Sequence, residues 1–366
     1  MKLLLVTDAV GGVWVYSLEL ARALRPLGVE TILAVIGPAP NARQRSDAAQ
    51  CRLIETGLPL EWGETSPDEL HRAGNAIAEI AESTSADLVQ TCSAALLAHT
   101  SFDCPCVAVQ HSCTATWWAA VRGASLPAEF EWRRELVGRG LGRAAAVIAP
   151  SLAFAEDIAR TYNFSSGIQA VHNGRRRDPV MQVPQGDFVL TASRLWDEGK
   201  NPATLDAAAA RLRVPVEAAG AVDGPNGASA RFDHLHLLGE VSPARIAGLR
   251  AARPIFASAA LYEPFGLSVL EAAYAGCALV LSDIPTHREL WGEAAIFVPA
   301  RDGAAFASAI QALLDRPDER HELGRRARTQ AQHYTPERMA SRMADIYARL
   351  VEAPAPPEAL QMAAAE

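Results

Sequence analysis

The chain reads as an α/β protein of two doubly wound, Rossmann-like domains, and three features of the sequence predict it. Short, continuous apolar runs recur along the chain. Longer amphipathic segments lie between them. The whole alternation occurs twice, on either side of the polar, two-proline stretch Arg175–Gly186. Strands covered on both faces are apolar throughout rather than alternating, and strand-helix alternation winds into parallel sheets.

In the first half the expected strands are Leu3–Thr7, Thr31–Ile36, Leu88–Thr91, Cys106–Gln110, Ala145–Ala149 and Gln169–His172. In the second they are Phe188–Ala192, Val214–Ala218, His234–Leu238, Pro254–Ala257, Ala278–Leu281 and Ala295–Val298. After Gly12, the residues Trp14, Leu18, Ala21 and Leu24 recur at helical spacing, and Gly28 closes that segment. Ser242-Pro243 and Thr335-Pro336 each set a capping residue before a proline at the first helical position. The pattern places one domain over 1–172, a linker over 173–186 and a second domain over 187–334. A last helix over 335–352 can cross back to the first domain, and the Pro/Ala-rich tail 353–366 is expected to be disordered.

The 366 residues suffice for two cores, and 49% hydrophobic with 21% charged residues is the balance of a soluble globular protein. A net charge of −8 argues against nucleic acid as a partner. No apolar run approaches the roughly 20 residues of a membrane span. The first run is cut short by Asp8, so it reads as a strand rather than a signal-peptide core, and the expected location is cytoplasmic. Cys104, Cys106 and Cys113 do not have zinc-ligand spacing, and the six cysteines are expected to be reduced and packed as small apolar groups.

Two facing domains of this class bring the carboxyl ends of their strands around one cleft, where ligands bind. Residues that follow strands therefore carry most interest. Gly11-Gly12 follows the first strand and opens a helix, so backbone can approach an anion there, although the dinucleotide fingerprint G-x-G-x-x-G is absent. His111 stands at the end of Cys106–Gln110. Arg194 and Lys200 flank the loop after Phe188–Ala192 and suit a diphosphate, unless they merely pair with Asp197 and Glu198. After the strand ending near Ala257 comes Leu261-Tyr262-Glu263-Pro264-Phe265-Gly266-Leu267, then a helix that carries Glu271. The amides of Gly266 and Leu267 would face an anion, and the two carboxylates could grip different parts of one extended ligand.

Together these residues resemble glycosyltransferase family 4, retaining enzymes of the GT-B fold. The most specific part is Glu263-x7-Glu271 with Pro264-Phe265-Gly266-Leu267 inside it, supported by Gly11-Gly12-Val13, His111, Val171-His172-Asn173-Gly174, the Arg194/Lys200 pair and Leu238-Gly239. The resemblance implies a nucleotide-sugar donor. It implies that Arg194 and Lys200 neutralise the diphosphate and that Glu271 holds the ribose. Glu263 with the backbone of Phe265, Gly266 and Leu267 would hold the sugar, Gly12 would let the first loop near the phosphates, and His111 would help shape the reaction site. One departure is visible: the family often has R-x4-K followed by glycine, and here it is R-x5-K followed by Asn201.

The expected reaction is retaining transfer to an unidentified acceptor, with Glu263 and His111 at the reacting centre. No D-x-D occurs, so no metal and no other cofactor is expected. Thr116–Arg143 interleaves Trp117, Trp118 and Trp132 with five arginines, which offers either an acceptor platform or a peripheral contact with an anionic membrane. Oligomeric state is not readable. The rival readings are a GT-B-like sugar-nucleotide epimerase, against which the two glutamates argue, and a non-catalytic sugar-nucleotide-binding protein, against which the full set of charged donor contacts argues.

Overall fold

The computed structural model describes residues 1–352 except 166, 180, 182, 225 and 226. The tail 353–366 and part of the expected linker thus lie outside the described residues. The chain divides into two compact units, Met1–Gly174 with the C-terminal helix Pro336–Glu352, and Arg175–Thr335. Each is an α/β unit around one parallel sheet.

The first sheet contains β1 (Lys2–Asp8), β2 (Glu30–Ile36), β3 (Arg52–Glu55), β4 (Leu88–Thr91), β5 (Cys106–Val109), β6 (Ala146–Ala149) and β7 (Ile168–Ala170), in the order β3-β2-β1-β4-β5-β6-β7. The second contains β8 (Val189–Ala192), β9 (Val216–Ala219), β10 (His236–Gly239), β11 (Ile255–Ser258), β12 (Ala278–Ser282) and β13 (Ile296–Val298), in the order β10-β9-β8-β11-β12-β13. Every pairing within the sheets is parallel. In both, the winding reverses next to the first strand: at β1/β4 in one sheet and β8/β11 in the other. Ligands of doubly wound sheets bind outside the strands' carboxyl ends at that reversal.

The expected strands are all present, with ends shifted by one or two residues. β3 was not foreseen. Its sequence, Arg-Leu-Ile-Glu, is short and charged at both ends, as suits an edge strand, and an apolar-run criterion passes over it.

The C-terminal helix completes the first unit. Its buried residues Met339, Ala340, Met343, Ile346 and Tyr347 form one stripe at helical spacing. They join the cluster that includes Trp14, Leu18, Leu20, Leu33 and Val35. Burying one side chain of this size contributes about 1.5–3 kcal/mol, so the stripe is a large part of that unit's core. In the second unit, separate apolar clusters cover the two faces of the sheet, one around Phe306 and Ile310 and the other around Phe256, Leu270 and Trp291.

Two glycines of one helix, Glu131–Arg143, make opposite predictions. Gly140 lies against the turn Ala94–Leu97, and a Cβ built there would stand 1.7 Å from the carbonyl oxygen of Ala94. Helix propensity favours alanine by about 1 kcal/mol, but backbone cannot yield as a side-chain tip can, and overpacking costs about 1–3 kcal/mol or more. At Gly142 nothing lies within 4 Å. Gly140→Ala is therefore expected to destabilise the protein by about 2 kcal/mol and Gly142→Ala to stabilise it by about 0.5–1 kcal/mol. Urea unfolding of the two variants checks both signs. Equal midpoints would contradict this packing.

Candidate functional site

The second unit gathers its charged residues at the carboxyl ends of β8 and β11, where the winding of the sheet reverses. After β8 the chain makes a short turn, Glu198–Lys200, whose start is fixed by the Asp197 carboxylate accepting from the amide of Gly199 at 2.9 Å. After β11 the chain runs straight past it. The amides of Leu261 and Tyr262 both donate to the carbonyl of Gly199, at 2.8 and 3.1 Å. Asn201 binds the other side, its Nδ2 donating to the carbonyls of Ala259 at 3.0 Å and Ala300 at 2.7 Å. Asn201 has φ 50°, left-handed backbone that glycine or asparagine adopts at least cost. It thus fills the position where the resembling family often has glycine, and its amide adds a tie that glycine lacks.

These ties bring Lys200 and Glu263 together. Lys200 Nζ donates to Glu263 Oε2 at 2.7 Å, and the two side chains are only 15% and 13% exposed. Burial pushes the Glu263 carboxyl upward. The Lys200 charge and hydrogen bond, helped by the Arg194 charge, outweigh it and hold the group below its usual value. Glu263 is therefore an anion at neutral pH. Arg194 pairs with Asp197 at 2.7 Å and lies over the Trp196 ring at 5.5 Å, so the local pairing considered for it from the sequence does occur. Lys200 instead pairs across the turn, with Glu263.

Gly266 caps the helix Leu267–Ala275 with φ 91°. A Cβ there would lie 3.3 Å from Glu263 Cγ and 3.3 Å from Val269 Cγ2, so glycine permits both the turn and the placement of Glu263. Phe265 is buried, edge-on to Tyr334 with ring centroids 5.7 Å apart, and anchors the loop below.

Glu271 sits on that helix in a different environment. Its Oε1 accepts from Arg175 Nε and its Oε2 from Arg250 Nη1, each at 2.7 Å. Arg250 is 4% exposed and also holds Asp178 at 2.6 Å. The carboxylate is thus fixed in orientation by two guanidinium groups, with lone pairs left to accept from hydroxyls.

Sequence reasoning missed Arg175, Arg250 and Asp178, which come from segments distant in sequence, and it also missed His287. His287 is fully buried. Its Nδ1 lies 3.0 Å from the backbone oxygen of Ser282, which can only accept, so Nδ1 carries the proton and Nε2 the lone pair. Nε2 is buried with no hydrogen-bond partner among the described residues. The rule that singled out His111 applies here too, because His287 closely follows the end of β12.

In the first unit, Gly11 (φ 78°) caps the helix Gly12–Leu24 directly after β1, leaving Gly12 exposed at the helix start. His111 follows β5. Tyr16 packs edge-on against its ring at 4.3 Å, and Tyr16 in turn accepts from Gln90 Nε2 at 3.3 Å, while Tyr347 donates to Gln90 Oε1. Burial pushes the His111 imidazole down to about 4, so it is neutral at physiological pH. Its Nε2 has no partner among the described residues.

A second buried carboxylate lies at the end of β4. Glu61 accepts from Ser93 Oγ at 2.7 Å, and Arg133 braces the loop through the carbonyls of Glu61 and Gly63. Burial raises the Glu61 carboxyl from 4.5 to about 7, against the opposing pull of Ser93 and Arg133. The folded state then binds a proton that the unfolded state has released, so stability falls as pH rises from about 4.5 to about 7. Glu61→Gln removes that dependence. Relative to wild type, the variant is expected to gain on the order of 3 kcal/mol on going from pH 5 to pH 8. Parallel stability curves for the two proteins, from urea melts at both pH values, would show the carboxyl to be unperturbed.

The chain is similar to known proteins in both of its units. Residues 10–178 match the family model Glycosyltransferase Family 4, and residues 230–330 match Glycosyl transferases group 1. A phosphatidyl-myo-inositol mannosyltransferase of Mycobacterium leprae (strain TN) is 39% identical over 85 residues, which is 22% of this chain and 23% of that protein. The chain spans about a quarter of the length of the curated relatives it matches. Among solved structures, sucrose-phosphate synthase from Thermosynechococcus elongatus superposes with TM-score 0.78 at 20% identity, covering 96% of this chain and 99% of that one. Anabaena HepE in complex with UDP-glucose superposes with TM-score 0.75 at 18% identity, covering 96% and 100%. At such identities the structures speak for the fold. With the Glu263–Glu271 motif in place at the end of β11, the chain is similar to glycosyltransferase family 4 over residues 10–178 and to the group 1 glycosyl transferases over residues 230–330, and it has the two doubly wound units of the GT-B fold.

Proposed function

We propose that the protein transfers a sugar from a nucleotide-sugar donor to an acceptor with retention of anomeric configuration and without a metal ion. The observation that carries this reading is the Lys200–Glu263 pair, held at 2.7 Å between the ends of β8 and β11. In the transition state, negative charge develops on the leaving diphosphate. Lys200, Arg194 and the amides at the start of the helix Leu267–Ala275 are preorganised donors for that charge. Glu263 accepts from hydroxyls of the donor sugar near its reacting carbon, and Glu271, oriented by Arg175 and Arg250, accepts from the ribose. Gly12 and the neutral His111 are the contributions of the first unit to the donor and the reaction site. Support for the donor class comes from HepE, whose structure holds UDP-glucose. The sugar is expected to be a hexose, and the acceptor a glycan, a lipid-linked saccharide or a small molecule.

The test is a thermal-shift screen with nucleotide sugars, followed by turnover of the best ligand. A ligand at about 100 times its dissociation constant adds about 2.7 kcal/mol of stability. Nucleoside diphosphate release is expected to continue in excess chelator, and the product linkage to keep the donor's anomeric configuration. Strict metal dependence would remove the metal-free reading, and inversion at the anomeric carbon would remove retention.

A further inference from the structure

The first unit contains a second charged hollow, at the edge of its sheet opposite to Gly12 and His111. It is a cavity of about 370 Å³ at the amino ends of β2 and β3, beneath the last turn of the helix Gly12–Leu24. Arg22, Arg25 and Arg52 line it, with Glu30 as the one carboxylate among the lining residues. Among the described residues, neither Arg25 nor Arg52 has a carboxylate within 4 Å. Arg22 gives Nη2 to the backbone carbonyl of Asp47. Arg22 and Arg25 complement the negative end of the helix, which accounts for two of the three cations but not for Arg52 or for the cavity. Thr31 also lines the hollow. It is 7% exposed, and its Oγ1 is buried with no hydrogen-bond partner among the described residues. A buried hydroxyl left without a partner costs free energy.

We propose that this hollow binds a phosphoryl group, borne either by a small molecule or by a lipid headgroup. Guanidinium forks match phosphate oxygens, and a phosphate oxygen seated on the floor would accept from Thr31 Oγ1. The volume lies within the range of small-ligand pockets. The site is independent of the donor site and of the reaction proposed above.

The experiment measures binding of inorganic phosphate to the full chain by calorimetry, in an Arg194→Ala, Lys200→Ala background that silences the diphosphate site. Phosphate is expected to bind, and Arg25→Ala with Arg52→Ala to weaken it by about tenfold or more, as loss of a charge-assisted hydrogen bond does. Both arginines are exposed, so folding is not at risk. Thr31→Val, of similar shape, is expected to weaken binding by a smaller factor. A second arm follows co-sedimentation with phosphatidylcholine vesicles made with and without phosphatidylglycerol. Capture that needs the anionic lipid and is lost in the arginine variants assigns the phosphoryl group to a headgroup. Phosphate binding without capture assigns it to a soluble ligand. Phosphate affinity unchanged by the arginine variants, or binding of neither probe, overturns the proposal.

Discussion

Glu263→Ala is expected to lower donor turnover by about 10²–10³-fold, the range seen when one preorganised polar contact is removed from a reaction centre. The effect has two parts. The carboxylate proposed to accept from the sugar is lost. Lys200, only 15% exposed, also loses its 2.7 Å partner and is free to leave the position proposed for it beside the leaving phosphate. Glu263→Gln separates these parts, because an amide can still accept from a hydroxyl but no longer carries the charge that holds Lys200. The glutamine variant should keep more turnover than the alanine variant. Both should fold, since the loop is held from below by Phe265 and by the backbone ties of Leu261 and Tyr262. Turnover of a folded alanine variant within about threefold of wild type would be a loss of under 1 kcal/mol in the barrier, and would take Glu263 out of the site.

The largest stability effect is expected at Glu271. Glu271→Ala leaves Arg250, 4% exposed, with Asp178 as its remaining carboxylate and deprives Arg175 of a 2.7 Å contact. Breaking a buried pair from one side costs about 3–5 kcal/mol when the charge is left with no partner, and Asp178, which still holds Arg250, keeps the cost here at or below the lower end of that range. A folded domain has about 5–15 kcal/mol in total, so this single change removes a large share of it. Glu271→Leu, which also removes the carboxylate shared by the two guanidinium groups, should be no better, whereas Glu271→Gln should recover part of the loss by accepting one of the two bonds. Denaturant midpoints rank the three. Near-wild-type stability of the alanine variant would mean that water reaches Arg250 freely. Nucleotide affinity should fall in all three variants, which separates Glu271 from the core positions that surround it.

The parts of the site that could be read from the sequence are the local ones. Glu263, Gly266, Leu267 and Glu271 fall within nine consecutive residues, and the strand before them and helix after them have clear apolar signatures. The two doubly wound units were legible for the same reason, since twelve of the thirteen strands fall on short, mainly apolar runs. What stayed hidden was assembled across the chain. Arg175 is 96 residues from Glu271 and stands in a stretch that reads as linker, and Arg250 belongs to a helix whose pattern marks it as one more surface arginine. Glu61 gives no signal either, because a glutamate in a loop is ordinarily solvated. Only the fold shows that Arg133 and Ser93 close over it. The pairing of Lys200 with Glu263 rather than with its neighbour Glu198 follows from the Gly199 carbonyl binding Leu261 and Tyr262, a tie that no spacing encodes.

The first unit is built from both ends of the chain, and this sets an order for its making. During synthesis Met1–Gly174 emerges first, yet Met339, Met343, Ile346 and Tyr347 arrive only after the whole of Arg175–Thr335 has been made. Until then, the apolar surface around Trp14 and Leu18 that the last helix covers has no cover. The second unit is continuous and can complete its core while the ribosome is still at work, so the domain that is later in sequence can be the earlier to finish. A chain truncated after Thr335 and released would therefore hold a protease-resistant second unit and a first unit still open to chaperones.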